Sequence, residues 1–203
     1  MYTFEVYSDL PTKLRRPIDE LIHRSWSFEA MKSGDVEILV PEGSSVSDPI
    51  DHVSHHVVAR NQKGSIVGYG RVAITQGTGI MPGKSAGELD IPSYIQRKDP
   101  NDRAAYISRL VVDPAHRGRG IATMIHKTRI EIASNLGAGV IYGWAVGDLP
   151  RNALTRVGFV EVGERQGFTT SWYITDRTTR LVKLEINPAP TPPSALRSIA
   201  SSI

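Results

Sequence analysis

Apolar and polar positions along the chain fall into two periods, one of strands and one of helices, and their order predicts an α/β domain. Tyr2 to Tyr7 alternates as a first strand. Asp9-Leu-Pro11 then opens a helix with Leu14, Ile18, Leu21 and Ile22 on its buried stripe, which reaches toward Trp26 and Phe28. Glu37 to Val40 reads as a short strand before a loop rich in Pro, Gly, Ser and Asp that extends to residue 51. His52 to Ile74 predicts a hairpin turning at Asn61-Gln-Lys-Gly64. Residues 76–103 are irregular, with order expected only over Glu88 to Ile95, and so long a connection usually carries function. Tyr106 to Val112 has the apolar run of a buried strand, which Asp113-Pro114 stops. Ile121, Met124, Ile125, Ile132 and Leu136 recur at helical spacing, and Gly137 stands where the C-terminal cap belongs. Val140 to Val146 predicts a strand parallel to 105–112, with the helix as crossover. A short helix over about 150–157, a strand from Phe159 and a closing strand or hairpin over 169–186 complete the domain, residues 1–186. Residues 187–203 read as a disordered tail of Pro, Ala and Ser. No internal repeat is present.

Composition narrows the picture a little. The 203 residues suit one domain with ample core, and 24 basic residues against 21 acidic ones give no lead toward a nucleic acid or membrane partner. No apolar run reaches membrane-spanning length, and no signal-peptide pattern opens the chain, so a cytoplasmic protein is expected. The absence of cysteine excludes disulfides, thiolate zinc sites and a cysteine acyl-enzyme.

One stretch carries distinctive chemistry. Between the strand ending at Val112 and the helix opening at Ile121 lies Arg117-Gly-Arg-Gly120. The first N–H groups of a helix have no intrahelical partner, and the helix dipole adds positive potential there. Gly118 and Gly120 let a ligand approach the backbone, while Arg117 and Arg119 supply charge. Strand, glycine loop and helix together predict a pyrophosphate cradle. By contrast, Gly68-Tyr-Gly70-Arg-Val-Ala73 matches a dinucleotide fingerprint in letters only, since strand residues continue on both sides; its glycines mark a bulge or a close backbone approach.

Arg117-x-x-Gly120-x-Ala122 after Leu-Val-Val-Asp-Pro, with Gly158-Phe159 downstream, resembles the acyl-CoA signature of the GCN5-related N-acetyltransferases over residues 52–186. The resemblance implies a mixed twisted sheet flanked by helices. It implies acetyl-CoA as co-substrate, held at Arg117, Gly118, Arg119, Gly120, Ile121 and Ala122, with backbone N–H groups near Leu110, Val111 and Val112 on the thioester carbonyl where the crossover strands splay beyond residue 110. A small-molecule primary amine is the implied acceptor, attacking directly. No nucleic acid, membrane or metal is expected, and a homodimer is left open.

The acid–base groups depart from the family pattern. Leu154 stands where the family often has an acidic tyrosine, Ser108 where it often has a mid-strand glutamate, and Val146-Gly147-Asp148 where an asparagine is common. The candidates are therefore Glu88 and Asp90 in the irregular segment, Tyr106, Ser108 and Asp148. His52, His55 and His56 with Asp48 and Asp51 suggest a metal on paper, but alternation puts His55 and His56 on opposite faces. Asp48-x-x-Asp51, Arg71 and Ser108-Arg109 also resemble the acyl-homoserine lactone and N-acyl amino acid synthases, which use acyl carrier protein; a glutamate expected three before Arg109 is Tyr106. A non-catalytic acyl-CoA binding domain is the remaining alternative.

Overall fold

The computed structural model describes residues 1–47, 49–76, 103–170 and 173–187. Expectations for Asp48, for Glu88, Asp90 and the rest of 77–102, and for the tail from 188 onward lie outside the described residues.

The chain forms β1 (Thr3–Tyr7), α1 (Thr12–Ser33), β2 (Val36–Ile38), β3 (Ser54–Arg60), β4 (Ile66–Gln76), β5 (Arg103–Val112), α2 (Ile121–Asn135), β6 (Ala138–Val146), α3 (Asp148–Thr155), β7 (Val160–Thr169) and β8 (Tyr173–Glu185). The eight strands make one sheet in the order β1-β3-β4-β5-β6-β8-β2, with β7 on β8. All pairings are antiparallel except β5 with β6, which run parallel across α2 as the crossover. The mixed sheet flanked by helices is as expected. The closing segment is one long hairpin, β7 with β8, and the Glu37–Val40 strand is the three-residue β2, which pairs with the start of β8.

Strand alternation places the helices on opposite faces. Val58, Tyr69 and Val111 pack with the α1 stripe of Leu14, Ile18, Leu21 and Ile22, while Val57, Ala59, Val67 and Val112 pack with Ile121 and Ile125 of α2. The two glycines of β4 let α2 lie close. A Cβ on Gly68 would stand 2.8 Å from Ile121 Cγ2, and one on Gly70 would stand 2.8 Å from Ile125 Cγ2. They mark a close helix approach, in line with the sequence. We expect Gly68→Ala to lower unfolding free energy in urea by about 1–3 kcal/mol through overpacking; a change below about 0.5 kcal/mol, the range of ordinary surface substitutions, would show that α2 has room to move.

Candidate active site

The turn after β5 is built by its own side chains. Asp113 accepts from Ala115 N at 3.0 Å and pairs with Arg24 of α1 at 2.9 Å. The loop that follows holds Gly118 and Gly120 at φ 74° and 77°, and Gly120 immediately precedes α2. A Cβ at either glycine would meet nothing within 4 Å, so the loop faces open space. The first helical bond is Met124 N to Gly120 O, 3.0 Å, which leaves the N–H groups before it to project from the helix end.

The structure divides the two loop arginines. Arg117 turns back to α1: its guanidinium pairs with Glu29, donates to Ser25 Oγ at 3.1 Å and to Val112 O at 3.2 Å, and lies over the Phe28 ring. It fastens the loop rather than standing free for a ligand. Arg119 is exposed and reaches Tyr2 Oη at 3.3 Å. Glu29 also pairs with Arg177 at 3.1 Å. Burial alone would raise the Glu29 carboxyl, but the bonds from Arg117 and Arg177 outweigh it and hold it below the usual carboxylate range.

Behind this loop the sheet opens. Pairing of β5 with β6 ends at Ile107 and Gly143, although the strands run on to Val112 and Val146. On its other edge β5 is bulged: Ser108 faces Arg71 and Val111 faces Tyr69, so Arg109 and Leu110 together oppose Gly70. Arg109 takes a positive φ of 54°. The opening thus begins after residue 107, three residues earlier than the sequence suggested, where the bulge bends β5. A pocket of about 110 Å³ occupies the gap. Trp26, Trp144, Phe168 and Tyr173 wall it toward α1, Tyr106 to Leu110 line its strand, and His126, Arg129 and Leu154 wall it toward α2 and α3.

A buried polar network supports the α1 side. Arg71 pairs with Asp51 at 2.5 Å and donates through Nε to Ser108 Oγ at 2.7 Å, and Arg109 lies 3.6 Å from the other Asp51 oxygen. His56 donates from Nε2 to Asp51 O at 3.0 Å, so its Nδ1 accepts from the Tyr69 hydroxyl at 2.8 Å. Desolvation lowers the His56 pKa and keeps the ring neutral. His56 is thus fully used in holding the segment before β3. Among the described residues no group of three His, Cys, Asp or Glu side chains could hold a metal ion.

On the α2 side, Arg129 is fully buried. Its Nη1 donates to Arg71 O at 3.2 Å and Ser108 O at 3.1 Å, the two carbonyls where the bulge begins. Its Nη2 donates to His126 Nδ1 at 2.6 Å. Burial pushes the guanidinium down to about 9, still charged at neutral pH. The same burial, with Arg129 beside it, holds His126 well below the ordinary histidine range.

A sequence model of the acetyltransferase (GNAT) family matches residues 20–159. The chain belongs to the GNAT acetyltransferase family. The architecture agrees: arylalkylamine N-acetyltransferase 2 from Aedes aegypti superposes with a TM-score of 0.61 at 17% identity, covering 92% of this chain and 99% of that one. NAA60 from Arabidopsis thaliana, in complex with a bisubstrate analogue, gives 0.57 at 20% identity, covering 92% and 100%. The ribosomal-protein-S18-alanine N-acetyltransferase from Escherichia coli gives 0.56 at 14%, covering 94% and 97%. At such identities the likeness is one of fold. No curated protein sequence matches the chain.

Within this GNAT domain the sequence-derived candidates separate. Tyr106, Ser108 and Leu110 line the pocket, and Val111 and Val112 continue β5 beyond the gap. Gly118, Arg119 and Gly120 form the open loop, while Ile121 is buried against Gly68 and Ala122 is half-buried in the first turn of α2. Asp148 lies outside the pocket wall with its side chain 76% exposed, paired with Arg180 at 3.4 Å. Leu154 is buried in the pocket wall. Sequence reasoning passed over His126 and Arg129. The signal was there: Arg129 continues the Ile121–Ile125 spacing of the buried stripe, where a cation is out of place.

Proposed function

We propose that the protein is an acyl-CoA-dependent N-acyltransferase that moves acetyl from acetyl-CoA to the primary amine of a small molecule by direct attack. The observation that carries this reading is the pocket in the β5–β6 gap, walled by the strand that runs on into the Gly118–Gly120 loop. The loop takes the pyrophosphate through Gly118, Arg119, Gly120 and the first N–H groups of α2, with Arg117 as its anchor. The thioester carbonyl lies toward the N–H groups of Leu110 to Val112, which stabilise the charge that develops on its oxygen. The amine enters from the aromatic side, where Trp26 stacks on Tyr173 with ring centroids 4.1 Å apart; such faces suit a small amine with an apolar body.

The test is a thermal-shift series of CoA thioesters of increasing chain length, followed by an amine panel read by thiol release. A cysteine-free chain contributes no thiol background. Acetyl-CoA should raise the melting temperature and at least one amine should release CoA. Tight acetyl-CoA binding with no release across a broad panel would favour a binding domain instead.

The Asp51–Arg71–Ser108–Arg109 network favours a second reading, an enzyme like the acyl-homoserine lactone and N-acyl amino acid synthases, because the residues behind that resemblance are joined in space. Turnover only with long chains on acyl carrier protein would decide for it.

A further inference from the structure

The α2 wall of the pocket holds polar groups that the fold leaves unsatisfied. His126 and Arg129 are each only 1% exposed, both line the pocket, and His126 Nε2 and Arg129 Nε have no hydrogen-bond partner. Their protonation follows from their contacts. An arginine only donates, so the 2.6 Å bond from Arg129 Nη2 makes His126 Nδ1 an acceptor and leaves the ring proton on Nε2. Two buried N–H donors on pocket-lining residues are therefore left without an acceptor. Among the described residues no carboxylate forms an ion pair with Arg129, whose other bonds go to the Arg71 and Ser108 carbonyls and to His126. A buried guanidinium without a counter-charge and a buried N–H without an acceptor are both costly, so the site favours a ligand atom that is or becomes negative.

Resting on the acyltransferase reading above, we propose that His126 Nε2–H and Arg129 Nε–H form an anion site for the sulfur of the leaving CoA thiolate. Arg129 binds the carbonyl of Ser108, two residues before Leu110, so a thioester whose carbonyl oxygen lies on the N–H groups of Leu110 to Val112 has its sulfur in the same small recess. The amine nitrogen attacks the carbonyl carbon and forms the C–N bond. The C–S bond then breaks, with its electron pair passing to sulfur, and the excess proton of the nitrogen leaves to solvent. The thiolate is held by the two N–H groups and takes a proton from water on release. No acid is needed at position 154, which accounts for a leucine in the pocket wall there.

The decisive experiment is a titration of bound CoA followed by thiolate ultraviolet absorbance, read as the difference from the same titration of CoA-free protein so that the seven tyrosines cancel; the chain has no cysteine to add a thiolate of its own. Binding to the parent protein should lower the CoA thiol pKa by about one unit or more. His126→Leu should bind CoA and return the thiol toward its free value, while His126→Gln, which keeps an acceptor for Arg129 and a donor for sulfur, should restore most of the shift. With acetyl-CoA and benzylamine, or the fastest amine of the panel, His126→Leu should lose about 100-fold in kcat with KM for acetyl-CoA nearly unchanged. A bound thiol with unshifted pKa in the parent, or an equal shift in His126→Leu, overturns the proposal. Failure of the parent to bind CoA at all overturns the acyltransferase reading instead, so the two failures are distinguishable.

Discussion

Gly120→Glu is expected to weaken acetyl-CoA binding by about 100-fold or more while the domain stays folded. Residue 120 sits at φ 77° with open space where its Cβ would stand, immediately before α2. The new side chain would project into the space that the proposed function gives to the pyrophosphate, and like charges brought together there cost several kcal/mol. The fold itself should tolerate the change. The left-handed backbone costs a non-glycine residue about 1–2 kcal/mol, and a carboxylate at a helix N-terminus returns part of that. Isothermal calorimetry, with a thermal melt as control, reads the two effects separately. An unchanged affinity would remove the loop from the binding site. Arg117→Ala should behave differently. Since Arg117 bonds Glu29, Ser25 and Val112, its loss should lower the melting temperature as well as the affinity.

Asp51→Ala should be the most damaging change to stability, lowering the unfolding free energy by about 3–5 kcal/mol, as expected when one partner of a buried pair is removed. Arg71 and Asp51 are almost wholly buried, and the same carboxylate lies 3.6 Å from Arg109. Removing it leaves two guanidinium groups beside each other on the pocket wall. Urea unfolding checks this, and a loss below about 1 kcal/mol would mean that the arginines find other charge close by.

The loop and the strand before it were legible in the sequence because both depend on local chemistry. A proline stops β5, glycines at positive φ precede α2, and a long apolar run is buried whatever its neighbours. The close approach marked by Gly68 and Gly70 was legible for the same reason, since only a missing side chain admits the helix. What could not be read was which way long side chains turn. Arg117 and Arg119 are equivalent in a loop pattern, and what distinguishes them is distant in the chain: Arg117 meets Ser25, Phe28 and Glu29 of α1, the last 88 residues away. The early end of the β5–β6 pairing depends on a bulge defined against β4, a relation between strands that no single strand encodes. His126 and Arg129 were missed because a helical stripe was read for its apolar members alone.

Glu29 has a further consequence. It receives Arg117 from the donor loop and Arg177 from β8, whose first residue, Tyr173, walls the aromatic side of the pocket. On the proposed function, the donor and acceptor sides thus share one footing on α1, and neither can be retuned alone. On the acyltransferase reading, moving this helix to admit a bulkier amine shifts the grip on CoA too, so changes of acceptor range are better sought in Phe168, whose ring stands against Trp144 and Tyr173 and under the Arg165 guanidinium.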